Sequence, residues 1–349
     1  MSRWWTKSST LASFSAPVQH VSEHPVGQSF HEQPRSRGDS RVIAVIPTFN
    51  RKALVARVIE GVLSQSRPVS LALVVDNGSG DGTAEFLEES GYLDDERLVY
   101  MRLEQNMGFS AAFHFGVEVA LTRSANWIWA LDDDAVPDPR CLESLLDAAS
   151  RQPDGRVGGL MSYQEQWVGG SVNYRFPRSV WEALRFGYGC PQTGIRPGDP
   201  VVPVDWFTSA CALISADAVR AVGLPRDDLF YYADPLDYSL RLRAAGYRAY
   251  LVPESLVDHR SEAGPGKEVP AWRWYYVYRN TIFVLRNQAG QFGKPVQVAA
   301  TTRMALGALW RMVRLAVRGN WTGARQIGRG VVDGYRGRLG QRILPSTSP

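Results

Sequence analysis

The sequence predicts an α/β protein: a mostly parallel central sheet flanked by helices, followed by a helical C-terminal extension. Two observations predict it. Between residues 41 and 150, short apolar runs alternate with stretches of helical period. The polar clusters PTFN, DNGS, NMG and DDD fall at or near the ends of those runs. In a parallel sheet these ends form one edge, and ligands bind beyond it.

Each element follows from its own residues. Residues 1–40 are rich in Ser, Gln, His and Pro without sustained period, and read as a flexible or loosely packed extension. RVIAVI (41–46) is a strand ending in the turn PTFNR. From Lys52 to Gln65 the apolar residues Leu54, Val55, Val58, Ile59, Val62 and Leu63 keep helical spacing. LALVVD (71–76) is the next strand, stopped by NGSGDG, a dense turn signal. Thr83–Ser90 then reads as helix, RLVYMR (97–102) as strand and Phe109–Leu121 as helix. WIWAL (127–131) follows as strand and Asp138–Ser150 as helix.

The second half is less regular. Residues 164–203 read as long loops and VDWFTSACALIS (204–215) as one buried strand. In FYYADPLDYSLRLRAAGY (230–247), Asp234 fits a helix N-cap, Pro235 the first helical position, Asp237 the acidic third position and Gly246 the stop. YRAYLV (247–252) reads as a further strand.

Composition narrows the class. The chain has 349 residues, 44% hydrophobic and 21% charged, enough for a substantial core. Cys141, Cys190 and Cys211 match no zinc or disulfide spacing, which favours a reducing cytoplasm. His20, His24 and His31 lie in the N-terminal stretch, leaving only His114 and His259 for the folded body and no histidine-built metal cluster. No run reaches the ~18 consecutive apolar residues of a spanning helix. The N-terminus lacks the apolar core of a signal peptide, although Trp4 and Trp5 follow Arg3.

Net charge is +4 but uneven, with arginines and a single acid, Asp333, beyond residue 300. Such asymmetry points to an anionic surface as partner rather than to a uniformly basic protein; no nucleic acid is expected as a partner. On a helix, Arg303, Arg311, Arg314 and Arg318 fall within about 80° of one another. Met304, Leu306, Leu309, Met312, Val313, Leu315 and Val317 cover the remainder, with Trp310 at the border. That pattern suits a helix lying in the headgroup region of an anionic membrane, or one docked on the folded body with its arginines in water.

The chemistry concentrates in WIWALDDDAVPDP (127–139), where an apolar run ends in Asp132, Asp133 and Asp134. At roughly 4 Å each like-charge pair repels by about 1 kcal/mol in water and several-fold more when partly buried. Something positive must sit there. A nucleotide diphosphate and its metal fit four polar clusters on one edge: the triplet holds Mg²⁺ or Mn²⁺ through hard oxygens, and the diphosphate completes the shell. The positive charge then arrives with the substrate. Asp76, leaving its strand, is placed to accept hydrogen bonds from base or ribose, and Asn77, Gly78 and Ser79 allow close backbone approach. Taken singly, each cluster reads equally as an ordinary turn, and the triplet as a solvated loop. GxGxxG and Walker A patterns are absent, which argues against a dinucleotide or P-loop enzyme.

The ordered set VIPTFNR, VVDNGSGDGT, NMG, WIWALDDDAVP and LFYYADPLDYSLRLRAAGY, with His259 downstream, resembles glycosyltransferase family 2 over residues 41–290. The resemblance implies an inverting enzyme of the GT-A fold, with a nucleotide-binding half at 41–150, an acceptor half at 151–290 and a basic amphipathic region at 291–349. WRWYYVYRNTIFVL (272–285) resembles the galactofuranosyl- and rhamnosyltransferase branch, which builds cell-wall and surface polysaccharides on lipid-linked acceptors from UDP- or dTDP-sugars. On that likeness Pro47, Thr48 and Asn50 line the nucleotide pocket, Asp76 recognises the uracil or thymine base beside Asn77, and Asn106 and Gly108 lie against nucleotide or sugar. Asp132 and Asp134 are the metal-associated carboxylates with Asp133 between them, and His259 helps to hold metal or diphosphate. Trp206 stacks on a sugar face or belongs to the core. The expected location is the cytoplasm, peripheral on the inner face of the plasma membrane.

One departure matters. Many members carry two adjacent acids before the helix, the second serving as catalytic base; here the pair is Asp234 and Pro235. Either Asp234 or Asp237 replaces it, or the protein is a non-catalytic nucleotide-sugar-binding partner in a glycan-assembly complex.

Overall fold

The computed structural model describes residues 18–22, 40–152, 155–168, 171–172, 174–175, 190–191, 195–259 and 270–343. Its strands are β1 (Val18–Ser22), β2 (Val42–Thr48), β3 (Leu71–Asp76), β4 (Leu98–Leu103), β5 (Trp127–Leu131), β6 (Ala135–Pro137) and β7 (Val157–Val168). Then come β8 (Ser171–Val172), β9 (Tyr174–Arg175), β10 (Cys190–Pro191), β11 (Val202–Val204), β12 (Cys211–Ser215) and β13 (Arg248–His259). The helices are α1 (Lys52–Leu63), α2 (Thr83–Glu89), α3 (Phe109–Thr122), α4 (Cys141–Ser150) and α5 (Ala216–Val222). They continue as α6 (Asp234–Ala244), α7 (Ala271–Gln288), α8 (Lys294–Val317) and α9 (Trp321–Arg336).

The main sheet runs β1-β4-β3-β2-β5-β12-β7-β13-β11. Its first half is parallel across β4, β3, β2 and β5. Both faces of these strands are covered, so their sequences read as near-continuous apolar runs. Within β2 the alternation still sorts the side chains. Val42, Ala44 and Ile46 pack with α1 and α4 on one face, while Ile43 and Val45 pack with α3 on the other. Helix α1 buries Val55, Val58, Ile59 and Val62, the stripe its spacing predicts.

Beyond β5 the sheet becomes mixed. β12 is antiparallel to β5 and β7, β7 is parallel to β13, and β13 is antiparallel to β11. Short β6 pairs antiparallel with Val257, Asp258 and His259 at the end of β13. That pairing carries the residues after the acidic triplet to the remote His259.

Several expectations need correction. The apolar run 204–215 is not one strand: β11 ends at Val204 and β12 begins at Cys211. Phe207 in the break turns its ring onto Gly159 of β7, where a Cβ would lie 2.5 Å from it. Periodicity cannot foresee a ring seated on a remote glycine. In the stretch expected to be long loops, β7 continues to Val168; residues 176–189 lie outside the described residues. β13 is longer than expected and runs on to His259. In the N-terminal stretch, Val18–Ser22 pairs antiparallel with β4 as an edge strand that no period announces.

The C-terminal helices belong to the same body. Helix α9 crosses α7 backbone to backbone: a Cβ at Gly330 would lie 2.5 Å from the Tyr275 carbonyl oxygen, and one at Gly334 2.5 Å from that of Arg279. No helix among the described residues is long and apolar enough to cross a membrane. The contact is testable. Gly330→Val should push α9 off α7 and cost about 1–3 kcal/mol. That would register as a lowered melting temperature with unchanged helix content by circular dichroism, and an unchanged melting temperature would refute the packing.

Candidate active site

The loops leaving β2, β3 and β4 are tied into one surface. Asp76, at the end of β3, accepts from the Ser79 backbone N–H at 2.8 Å and from the Tyr100 hydroxyl. Asn50 Oδ1 accepts from the Gly80 N–H and the Asn50 N–H donates to Ser79 Oγ, both at 2.8 Å. Asn77 donates to Asn106 Oδ1 at 3.1 Å and accepts from the Met107 N–H at 2.9 Å, joining DNGS to NMG. Gly78 (φ 80°) is required here, because its Cβ would lie 2.8 Å from Gln105 Cα. Pro47, Thr48, Asn50, Asp76, Asn77, Asn106 and Gly108 thus share one edge of the sheet. Asp76 spends both carboxylate oxygens on the protein itself.

The acidic triplet follows β5, and its neutralisation is partly built in. Thr48 Oγ1 donates to Asp133 at 2.9 Å, and Arg51 Nη1 bridges Asp133 and Asp134 at 2.9 Å each. His259 Nε2 lies 3.0 Å from Asp134 Oδ1. The expectation that all compensating charge arrives with the substrate is therefore corrected: Arg51 supplies part of it. Sequence reading passed over Arg51. The signal was present, since the triplet demanded a cation and Arg51 follows the PTFN turn, but no local rule says that two turns from different strands meet.

Electrostatics follow burial and pairing. Burial pushes the Asp132 carboxyl up to about 7, with Asp133 and Asp134 adding to the rise and His259 opposing it. Burial also raises Asp133 despite Arg51. For Asp134 burial is outweighed by the hydrogen bond from His259 and the charges of His259 and Arg51, which hold it below the usual range. His259 is raised, because the Asp134 hydrogen bond overcomes burial.

Asp132, Asp134 and His259 offer ligand atoms within 4.8 Å of one another. Two hard oxygens and an imidazole suit Mn²⁺ or Mg²⁺, and the 3.0 Å between Asp134 and His259 matches the edge of an octahedron with bonds of about 2.1 Å. The donor set fits a divalent cation.

Asp132 and His259 also line a cavity of 230 Å³ with Phe109, Trp206, Tyr231, Asp234 and Pro235. Asp234 is 5% exposed, and its Oδ2 has no hydrogen-bond partner. Burial, then the charges of Asp132 and Asp237, push its carboxyl up to about 7, against a lowering backbone hydrogen bond. The N-cap expectation for Asp234 fails. The cap is Ala233 (φ 68°), no side chain caps the helix, and Asp234 is its first residue. Asp237 is not among the cavity-lining residues; it is 1% exposed, with Arg241 at 3.8 Å and Arg226 as charge neighbours. Trp206 belongs to the core, packing on Ala233, Leu236, Leu240 and Val284, and it also lines the cavity. A larger cavity of 510 Å³ beside β11 and α6 holds the Asp205–Arg243 ion pair and none of the acidic triplet.

The backbone presenting Asp234 is strained. Phe230, Tyr232 and Ala233 have φ of 65°, 72° and 68°, each costing about 1–2 kcal/mol for a residue with a Cβ. Gly108 (φ 88°) lets this segment approach the NMG loop, since a Cβ there would lie 2.3 Å from the Phe230 carbonyl oxygen.

Comparison with known proteins agrees with this geometry. The family described as Glycosyl transferase family 2 matches residues 43–217. The N-acetylglucosaminyl-diphospho-decaprenol L-rhamnosyltransferase of Mycobacterium tuberculosis is 28% identical over 282 residues, covering 73% of this chain and 87% of that protein. Galactofuranosyltransferase GlfT1 of Mycobacterium tuberculosis is 26% identical over 263 residues, covering 70% and 82%. Among solved structures, the mannosyltransferase PcManGT from Pyrobaculum calidifontis, in complex with GDP-Man and Mn²⁺, aligns with a TM-score of 0.54. Identity to it is 19%, over 85% of this chain and 88% of that one, so it speaks for the GT-A fold alone. With a matching family profile over half its length, the acidic triplet at the sheet edge and the GT-A architecture, the chain belongs to glycosyl transferase family 2.

Proposed function

We propose that the protein is an inverting, metal-dependent glycosyltransferase. It moves galactofuranose or rhamnose from a UDP or dTDP donor to a lipid-linked or polysaccharide acceptor in cell-wall or surface-glycan synthesis. The observation that carries the reading is the cavity shared by Asp132, His259 and Asp234, whose Oδ2 has no hydrogen-bond partner. The acceptor hydroxyl attacks the anomeric carbon. Its proton passes to Asp234, and the bond to the diphosphate breaks with its electrons leaving on the nucleotide. A divalent cation on Asp132, Asp134 and His259 would stabilise the charge of that diphosphate. Arg51 holds Asp134 oriented, and Trp206 offers an apolar face to a sugar. Pro235, which cannot accept a proton, lines the same cavity, so Asp234 carries the role of base. The relatives' names, which specify rhamnosyl transfer to a diphospho-decaprenol-linked sugar and galactofuranosyl transfer, support the sugar and acceptor classes.

The same reading places the protein on the inner face of the plasma membrane, bound to its anionic surface. Helix α8 turns Met304, Ala308, Met312 and Leu315 towards Tyr278 and Ile327. It leaves Val298, Leu306, Leu309, Trp310, Val313 and Val317 exposed, the last at 83%. At 100° per residue these six span about 120°, beside Arg303, Arg314 and Arg318. The apolar residues thus split into a docked face and an outward one, and the outward one borders the basic stripe as an interfacial helix does.

Three outcomes test the proposal. Incubated with UDP-galactofuranose or dTDP-rhamnose and a polyprenyl-diphospho-sugar acceptor, Asp234→Asn should lose transfer at least a hundredfold. The wild-type kcat/KM should fall as pH drops through about 7, where Asp234 takes up its proton. Because its folded pKa lies above the unfolded value, ionisation opposes folding as pH rises from about 4 to about 7. At pH 8 the Asn variant should therefore melt no lower than wild type; wild-type turnover in this variant would exclude Asp234 as base. Second, Asp134→Ala should abolish both transfer and the thermal shift given by Mn²⁺ with UDP, and full wild-type activity in EDTA would refute metal dependence. Third, the protein should float with phosphatidylglycerol vesicles and not with phosphatidylcholine, and Leu309→Glu with Val313→Glu should release it. Equal flotation by that double variant would remove α8 from the interface.

A further inference from the structure

The strained segment 229–233 does not hold itself. Its carbonyls converge on one side chain of α7. Asn280, which is completely buried, donates through Nδ2 to the carbonyl oxygens of Leu229 at 2.8 Å, Tyr231 at 2.7 Å and Tyr232 at 2.9 Å. Its own Oδ1 accepts from Arg279 Nε at 2.7 Å. Arg279 is equally buried. It donates Nη2 to the Leu229 carbonyl at 2.8 Å and Nη1 to the Gly340 carbonyl at 2.6 Å, and stacks over the rings of Tyr275 and Tyr276 at 5.4 and 4.7 Å. The Arg-Asn pair that ends the aromatic run of α7 is therefore a clamp, and the segment it grips leads into Asp234.

The clamp matches the strain it opposes. Phe230, Tyr232 and Ala233 keep left-handed backbone conformations that residues with a Cβ leave when released. Buried carbonyls need donors, and here the donors come from one rigid helix. The segment also reaches the nucleotide side of the site, because the Ser110 N–H points at the Phe230 carbonyl at 3.4 Å, beside Gly108. We propose that Asn280, oriented by Arg279, is the positioning residue that holds residues 229–233 in this conformation and so aims the Asp234 carboxylate into the cavity. It touches neither substrate nor reacting atoms and acts through Asp234. The inference rests on the proposed role of Asp234 as base.

The variant Asn280→Asp keeps the shape and the acceptor for Arg279 while deleting both donors. Arg279→Lys is the milder change, keeping the charge and losing the fork. Hydrogen exchange on the full chain reads the clamp without any assay of activity. Peptides covering 229–236 should exchange at least tenfold faster in either variant that folds, with β2, β3 and β5 unchanged. Unaltered exchange at 229–236 overturns the clamp. Kinetics then read its purpose. With the donor and acceptor that wild type turns over, Asn280→Asp should lower kcat at least thirtyfold while donor KM stays within threefold; a merely structural role would lower melting temperature and leave kcat per folded molecule intact. The double variant Asn280→Asp with Asp234→Asn should be no slower than Asp234→Asn alone, because both changes remove one function. A further loss in the double variant overturns the route through Asp234. If Asp234→Asn itself transfers at the wild-type rate, the base assignment fails, and the exchange result still stands or falls separately.

Discussion

Three adjacent carboxylates at the end of a buried strand set the condition that the site must meet. Charges of one sign crowded near a low-dielectric interior are tolerated only where cations and donors converge on them. Thr48 and Arg51 come from the end of β2, and His259 comes from the end of β13. All three reach the triplet because of strand order. β2 lies beside β5, and β6 pairs the residues just after the triplet with the last residues of β13. The sheet topology therefore performs the charge compensation, leaving Asp132, Asp134 and His259 able to share a divalent cation.

The other side of the cavity is organised by strain. Asp234 is delivered by a segment with three left-handed residues, and α7 restrains that segment from behind. Glycines carry the restraint outward: Gly330 and Gly334 let α9 lie directly on the backbone of α7 at Tyr275 and Arg279. A region that looks like a separable basic tail thus buttresses the helix behind Asp234. The same α8–α9 pair carries the exposed apolar residues Leu306, Leu309, Trp310, Val313 and Val317.

The burial of Asp234 opposes stability. A buried carboxylate with an unpartnered oxygen is unfavourable for folding, and the strained backbone before it adds to the cost. A simple capping residue would show the opposite pattern: exposed, hydrogen-bonded to the helix amides and preceded by relaxed backbone. Asp237, one turn further along α6, also has both oxygens buried without a hydrogen-bond partner, but it lies outside the cavity with Arg241 and Arg226 as charge neighbours.

The sequence by itself determined the parallel half of the sheet, because strand and helix there alternate with unambiguous period and each apolar run is covered on both faces. It also determined the acidic triplet and the loops lying on one edge, since strand ends in a parallel sheet point one way. Local pattern says nothing about which distant side chains meet, and there the tertiary structure decided. Strand pairing brings Arg51 and His259 to the triplet, the His259–Asp134 contact joining residues 125 apart in sequence. Phe207 breaks an apparent strand because a remote glycine makes room for its ring. The first turn of α6 puts Asp234 in the cavity lining and leaves Asp237 out of it, an orientation that neither residue's helix-start chemistry reveals.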